Sequence, residues 1–191
     1  MPPRKHVGQG NTVSKAHTRL ALEATSRADF QRDVDHLRIV SIDPGLQGTG
    51  LAVWERGTLV RADVLALRSV DAQKNWAARV DLLIREHMAP HVDAGVDMLV
   101  CEMMEFQGGG ARGLGWRNGD MQRTTYFIGA LAGHFHWCDV ILVPVHVWKG
   151  QLPKDLVESR LRKRIPETES MRVWSHAWDA VGIGAWTVGR F

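Results

Sequence analysis

The sequence predicts an α/β fold built on a partly parallel sheet, and three observations predict it. A short apolar run over 38–42 stops abruptly at Asp43-Pro44-Gly45; a second, Met98-Leu99-Val100-Cys101, stops in the same way at Glu102; and between them apolar residues recur at helical spacing. Apolar runs of four to six residues are too short for a helix and right for a buried strand. A helix that crosses between two strands favours a parallel pair with a right-handed connection. Asp43 and Glu102 are therefore expected at one edge of the sheet, on strands that can be neighbours. The C-terminal ends of such strands are where α/β sheets bind ligands.

A chain of 191 residues can bury one substantial core, and one domain is the expectation. The net charge of +3, before counting nine His, permits a nucleic-acid partner without demanding one. The two Cys, Cys101 and Cys138, both lie within apolar runs, which reads as a reduced cytoplasmic protein without a disulfide framework. No apolar stretch approaches a membrane span, and the N-terminus lacks the apolar region of a signal peptide.

In chain order, residues 1 to about 18 carry Arg4, Lys5 and Lys15 with Gly and Pro breakers and almost no apolar residues. That is the composition of a flexible basic arm. Over 18–36 a mixed-charge helix anchored by Leu20, Leu22 and Phe30 is expected, so that 1–36 forms the arm and 37–191 the folded domain. The Asp43 strand pairs with an antiparallel partner over 51–54, and 58–67 adds a third strand through an Arg56-Gly57 turn. A helix follows with Trp76, Val80, Leu83, Ile84 and His87/Met88 on its apolar face, ending near Pro90. After the Glu102 strand, a segment with six glycines from Phe106 through Gly119 forbids regular structure. A helix over about 120–137 places Met121, Thr125, Ile128, Leu131/Ala132 and Phe135 on one face and leaves Tyr126 and Phe127 off it. Residues 140–143 form a further buried strand ended by Pro144, and a short helix spans about 154–163. The last helix begins after Ser175 as N-cap.

In that last helix His176 and Asp179 lie three residues apart, hence on one face. Packed on the sheet, they join Asp43 and Glu102 in a set of three carboxylates and an imidazole. Carboxylates that close repel one another and raise one another's pKa, so the set makes physical sense around divalent cations. Hard oxygen ligands with open positions suit Mg²⁺ or Mn²⁺, and two such ions about 4 Å apart can activate water and stabilise the leaving oxygen of a phosphodiester.

Asp43-Pro44-Gly45 with Thr49-Gly50, the strand ending in Glu102, Pro144 with Val147 to Lys149, and His176-Ala177-Trp178-Asp179-Ala180 together resemble the RuvC family of Holliday-junction resolvases, in the RNase H-like superfamily. The resemblance runs from about residue 38 to 188. It implies an RNase H-like five-stranded mixed sheet of order 3-2-1-4-5 with helices on both faces, a homodimer, and Mg²⁺-dependent nicking of four-way DNA junctions in a bacterial or phage setting. Carried over by position, Asp43 bridges two metal ions, Glu102 binds one and Asp179 the other. His176, where many members have Asp, either ligates a metal or positions the attacking water or the phosphate. Lys149 contacts the backbone near the cut, Phe106 stacks on a base at the junction centre, and Lys154 matches a second basic position. Arg112 and Arg117, in the Gly-rich segment, offer further phosphate contacts. The segment between Lys149 and Lys154 is shorter than the usual family loop, and the arm and the Gly-rich segment are departures.

Other readings compete. The Asp-Pro-Gly turn also resembles the first phosphate motif of actin-like ATPases and sugar kinases, but those need a second domain and the chain shows no second copy. A broader branched-DNA or RNA nuclease of the same fold, or a junction-binding protein without catalysis, remains open. His134, His136 and Cys138 invite a zinc reading, yet their spacing fits no common zinc pattern. Trp174, Trp178 and Trp186 fall at four-residue multiples and are read as one packed helical face.

Overall fold

A computed structural model of the chain describes residues 22–23, 34, 36–45, 48–66, 75–92, 95–103 and 119–191. Its strands are β1 (Leu22–Glu23), β2 (Arg38–Asp43), β3 (Thr49–Glu55), β4 (Thr58–Leu65), β5 (Met98–Met103) and β6 (Asp139–Pro144), in one mixed sheet of order β1-β6-β5-β2-β3-β4. Leaving β1 aside, the order is 3-2-1-4-5, as expected. The helices are α1 (Trp76–Leu82), continued by a π-helical turn over Leu83–Met88, α2 (Asp120–His134), α3 (Val145–Trp148), α4 (Lys154–Arg164) and α5 (Ser175–Thr187), with a 3₁₀ turn over Pro166–Ser170.

The β2–β3 pair is antiparallel, with Asp43 opposite Gly50, while β2–β5 and β5–β6 are parallel. The β3–β4 hairpin turns at Arg56 and Gly57, both at positive φ (51° and 74°), the backbone a two-residue hairpin loop with right-handed strand twist requires. The β2–β5 register runs through Ile42↔Cys101, so Asp43 and Glu102 sit side by side one step further on.

Because side chains alternate across a strand, that step also decides the face. Ile39, Met98 and Val100 enter the core layer beneath α5, whereas Val40, Ile42, Leu99 and Cys101 enter the opposite layer with α1 and α2. Asp43 and Glu102 are in phase with the first group. Both carboxylates therefore project on the α5 side of the sheet.

Four expectations need correction. Leu22–Glu23 pairs in parallel with Ile141 and Leu142 of β6 as a sixth edge strand, where a helix was expected over 18–36. Most of that segment, like residues 1–18, lies outside the described residues. The buried face of α2 is Thr124, Phe127, Ile128, Leu131 and Phe135, while Thr125 is exposed; the apolar stripe is rotated by about one residue, and Phe127 belongs to the core. Helix α5 takes Trp174 as its N-cap, with no capping side chain, and Ser175 as its first residue. Finally, the Trp-rich tail is not one packed face: Trp178 and Trp186 are buried, but Trp174 is 52% exposed.

No described helix is long and apolar enough to cross a membrane.

Candidate active site

The placement of α5 decides the site, and it rests on close approach to the sheet. A Cβ at Gly50 of β3 would overlap the His176 carbonyl oxygen, and one at Gly184 would overlap the indole nitrogen of Trp54. Glycine at these two points lets backbone and ring occupy the space a side chain would take. A buried polar network then fixes the position. Ser41 Oγ on β2 donates to the Ala180 carbonyl of α5 at 2.7 Å, and Trp54 Nε1 donates to Ser41 Oγ at 3.3 Å. A hydroxyl bound both ways inside a core holds one geometry, because any slip leaves a buried polar group unpaired.

With α5 so held, its first two turns lie over the strand ends. His176 Nδ1 stands 3.5 Å from Asp43 Oδ2. Asp179, one turn further on, is 12% exposed at its side chain and accepts from two lysines: Lys149 Nζ to Oδ1 and Lys154 Nζ to Oδ2, each at 3.2 Å. Lys149 also lies 3.9 Å from Glu102 Oε2 and 4.7 Å above the ring of Trp148. Trp148 Nε1 donates to Glu102 Oε2 at 3.1 Å, which orients that carboxylate. A Cβ at Gly182 of α5 would run into the Trp148 ring, so the indole is trapped between helix and sheet.

The electrostatics follow from this crowding. Asp43 is pushed up to about 7, first by burial and then by the charge of Asp179, while Lys149 and Lys154 pull it down. Glu102 is also pushed up to about 7, by burial and the charge of Asp43; Lys149 and the Trp148 hydrogen bond oppose the shift, and Asp179 adds to it. Two carboxylates that titrate near neutrality are poised to gain from a cation. Among the described residues, no three His, Cys, Asp or Glu side chains converge closely enough to hold a metal ion as they stand. Both oxygens of Asp179 are taken by lysine amines, so Asp179 is the carboxylate that would have to turn.

The structure thus brings Asp43, Glu102, His176, Asp179, Lys149 and Lys154 together. Phe106, Arg112 and Arg117 lie outside the described residues. Sequence reasoning missed Ser41, Trp54 and Trp148, and it missed that Lys154 reaches the same carboxylate as Lys149. Only Trp148, beside Lys149 in a quoted motif, carried a local signal. His134 and His136 flank the ring of Trp137 in edge and tilted contacts and form no metal cluster among the described residues.

Fold and site together define an RNase H-like α/β architecture with acidic side chains gathered at one end of the central strands. The solved structure of RuvC from Thermus thermophilus is similar over 79% of this chain and 92% of its own, with a TM-score of 0.55 and 20% identity. RuvC from the same organism in complex with a Holliday junction substrate is similar over the same shares, with a TM-score of 0.52 and 20% identity. No protein-family model and no curated protein matches the chain. At that identity the likeness establishes the fold.

Proposed function

We propose that the protein is a divalent-metal-dependent endonuclease that resolves four-way DNA junctions by paired, symmetric nicks. The observation that carries this reading is the meeting of Asp43, Glu102 and Asp179 at one sheet edge, with two lysine amines against the third carboxylate. A protein that only held DNA would gain nothing from buried carboxylates, since phosphate binding is driven by positive charge. The choice of substrate is supported by the fold shared with a RuvC solved in complex with a Holliday junction substrate.

The donor set fits Mg²⁺, with Mn²⁺ able to substitute, by its chemistry: three carboxylates and an imidazole. Asp43, between Glu102 on one side and α5 on the other, would touch two ions; Glu102 would hold one, and Asp179 with His176 the other. Bound there, two such ions supply an activated water and stabilise the leaving oxygen of a phosphodiester.

The chain's own groups do the rest. Trp148 keeps Glu102 aimed at the strand ends. Lys149 and Lys154, released from Asp179 when that carboxylate turns, are free to bind the phosphate and the charge that develops on it. His176, half-exposed beside Asp43, meets the incoming strand and either completes the ligand set or positions the water.

A four-way junction has near two-fold symmetry, and one site of this size cannot reach two strands. An isologous homodimer is the economical arrangement, with the exposed face of α2 around Tyr126 as its interface. Phe106, Arg112 and Arg117, which precede α2 in the chain, are proposed to reach the junction centre and its phosphates.

The test incubates purified protein with labelled four-way, flap and duplex DNA in Mg²⁺, Mn²⁺ or EDTA. Paired nicks confined to the four-way substrate and lost in EDTA are expected. A single nick on any branched substrate would demote the protein to a general branched-DNA nuclease, and cutting in EDTA would remove the metal mechanism.

A further inference from the structure

We infer that Trp174, backed by Arg172, is a stacking platform for an unpaired DNA base beside the active site; the inference rests on the proposed action on branched DNA. Residues 171–174 form a strap leading into α5. Met171 and Trp174 have extended backbone, with ψ of 140° and 165°. Side chains alternate along such a strap. Met171 and Val173 pack inward against the α5 core layer, while Arg172 and Trp174 point outward and are exposed. The Arg172 guanidinium lies 4.2 Å from the centre of the Trp174 ring. Arg172 has no carboxylate partner among the described residues, so its charge remains available to a phosphate.

Stability does not account for this indole. Trp178 and Trp186 serve the core; Trp174, 52% exposed, adds little to it. It also occupies the N-cap of α5 with no capping hydrogen bond from its side chain, a position where Ser, Thr, Asp or Asn would stabilise the helix. An exposed aromatic at a site better served by a small polar residue points to a ligand with a flat, apolar face. The neighbourhood says which ligand. No more than about 7 Å of chain separates Trp174 from His176, and Lys154, on Asp179, is reached one turn into the helix. A strand whose phosphate lies on Lys149 and Lys154 would carry its next bases past the strap. A cation-backed indole stacks on any of the four bases, and such stacks are sequence-tolerant.

The test measures equilibrium binding of the full chain to fluorescent single-stranded DNA and to four-way junctions, including junctions with a single abasic site moved along the cleaved strand. Trp174→Ala should weaken binding about tenfold, and Trp174→Phe should recover most of it. One abasic position should cost the wild type the same factor and cost Trp174→Ala nothing further. Arg172→Ala should lower the slope of log K against log salt by about one. Trp174→Ser, which supplies a proper N-cap, should lose binding while its Tm holds or rises. A lowered Tm in Trp174→Ser alongside lost binding would make the residue structural and overturn the inference. So would wild-type affinity in Trp174→Ala, or a loss indifferent to the abasic position, which would fit a protein-facing residue instead. Binding needs no cleavage, so the two readings fail separately. If the wild type cuts no branched DNA yet binds single strands through Trp174, the resolvase reading falls and the platform stands. If paired nicking proceeds and Trp174→Ala binds and cuts normally, the platform alone falls.

Discussion

The two faces of the sheet are built to different rules. Beneath α1 and α2 the layer is Val, Leu, Ile, Met and Phe, with the sulfur of Cys101 among them. Beneath α5 it holds Trp54, Trp148, Trp178 and Trp186, and the helix above comes close enough at Gly182 and Gly184 for rings to meet its backbone. All the charged groups of the candidate site sit on this second side. The first face needs only apolar volume, which many residue combinations supply. The second must hold a helix carboxylate over two strand carboxylates, and that takes a fixed distance. Glycine sets the approach, the Ser41–Ala180 hydrogen bond sets the register, and broad indole rings fill what remains.

The sharpest way to separate the faces is to compare activity per folded molecule. Asp43→Asn, Glu102→Gln and Asp179→Asn should each lower the cleavage rate by more than about 100-fold, since even groups that only orient a metal ligand cost 10–100-fold. Junction affinity should hold or tighten, because a negative charge near phosphate is removed. Leu131→Ala, in the other layer, should cost about 2–5 kcal/mol of stability yet leave the rate of the folded fraction unchanged. Single-turnover rates with denaturation curves decide this; full activity in any carboxylate variant removes that residue from the site.

Next in size is a pH effect confined to the α5 face. Asp43 and Glu102 are raised from 3.8 and 4.5 to about 7 in the folded protein. Between pH ~4 and ~7 the folded state holds protons that the unfolded chain has released, so stability falls as pH rises through that window and levels off above it. With a pKa unit equal to about 1.4 kcal/mol, the loss is on the order of a few kcal/mol for each of the two carboxylates taken singly. In EDTA, Tm should drop from pH 5 to pH 8, and Mg²⁺ should restore most of it at pH 8. Asp43→Asn should flatten the slope. A Tm in EDTA that is level across this range would mean the two carboxylates are better solvated than their burial indicates.

Gly184→Ala should come third. Its Cβ meets the Trp54 indole nitrogen and lies 2.6 Å from Ser41 Oγ, so the helix has to lift and the Ser41 network has to break. Overpacking of this kind costs about 1–3 kcal/mol. It should also slow cleavage, because a raised α5 carries His176 and Asp179 away from Asp43. Loss of stability with an unchanged rate in the folded fraction would show that the site tolerates a helix shift.

The legible parts of this molecule were those that local pattern encodes. Apolar runs ending at Asp43 and Glu102 gave the strand ends, and a crossover helix between them gave parallel neighbours, which the Ile42↔Cys101 register bears out. The three-residue spacing put His176 and Asp179 together. What stayed hidden depends on pairs far apart in the chain. Ser41 and Ala180 are 139 residues apart, and nothing near either names the other. The α2 stripe was misjudged by one residue because Thr124 and Thr125 are alike in sequence, and only packing decides which is buried. Trp174 was grouped with Trp178 and Trp186 because helical spacing was extended past the end of the helix, where the chain is already extended.

The smallest expected effect lies on the outer side of α2, and it bears on assembly. Gly129 is exposed and mid-helix, and among the described residues of the single chain a Cβ there would meet nothing within 4 Å. Replacing helical Gly by Ala is worth about 1 kcal/mol through propensity alone. Gly129→Ala should therefore raise stability by that amount, whatever the protein concentration, if this part of the helix faces water. Gly129 lies three residues after Tyr126, within the face proposed to meet a second copy. If the partner helix comes close there, the new methyl group has to be accommodated twice in an isologous contact, and the sign reverses. Denaturation at low and high protein concentration, with sedimentation alongside, reads both possibilities. A gain at low concentration that turns into a weaker dimer at high concentration places Gly129 in the interface. A gain at every concentration with an intact dimer moves the interface off this face of α2.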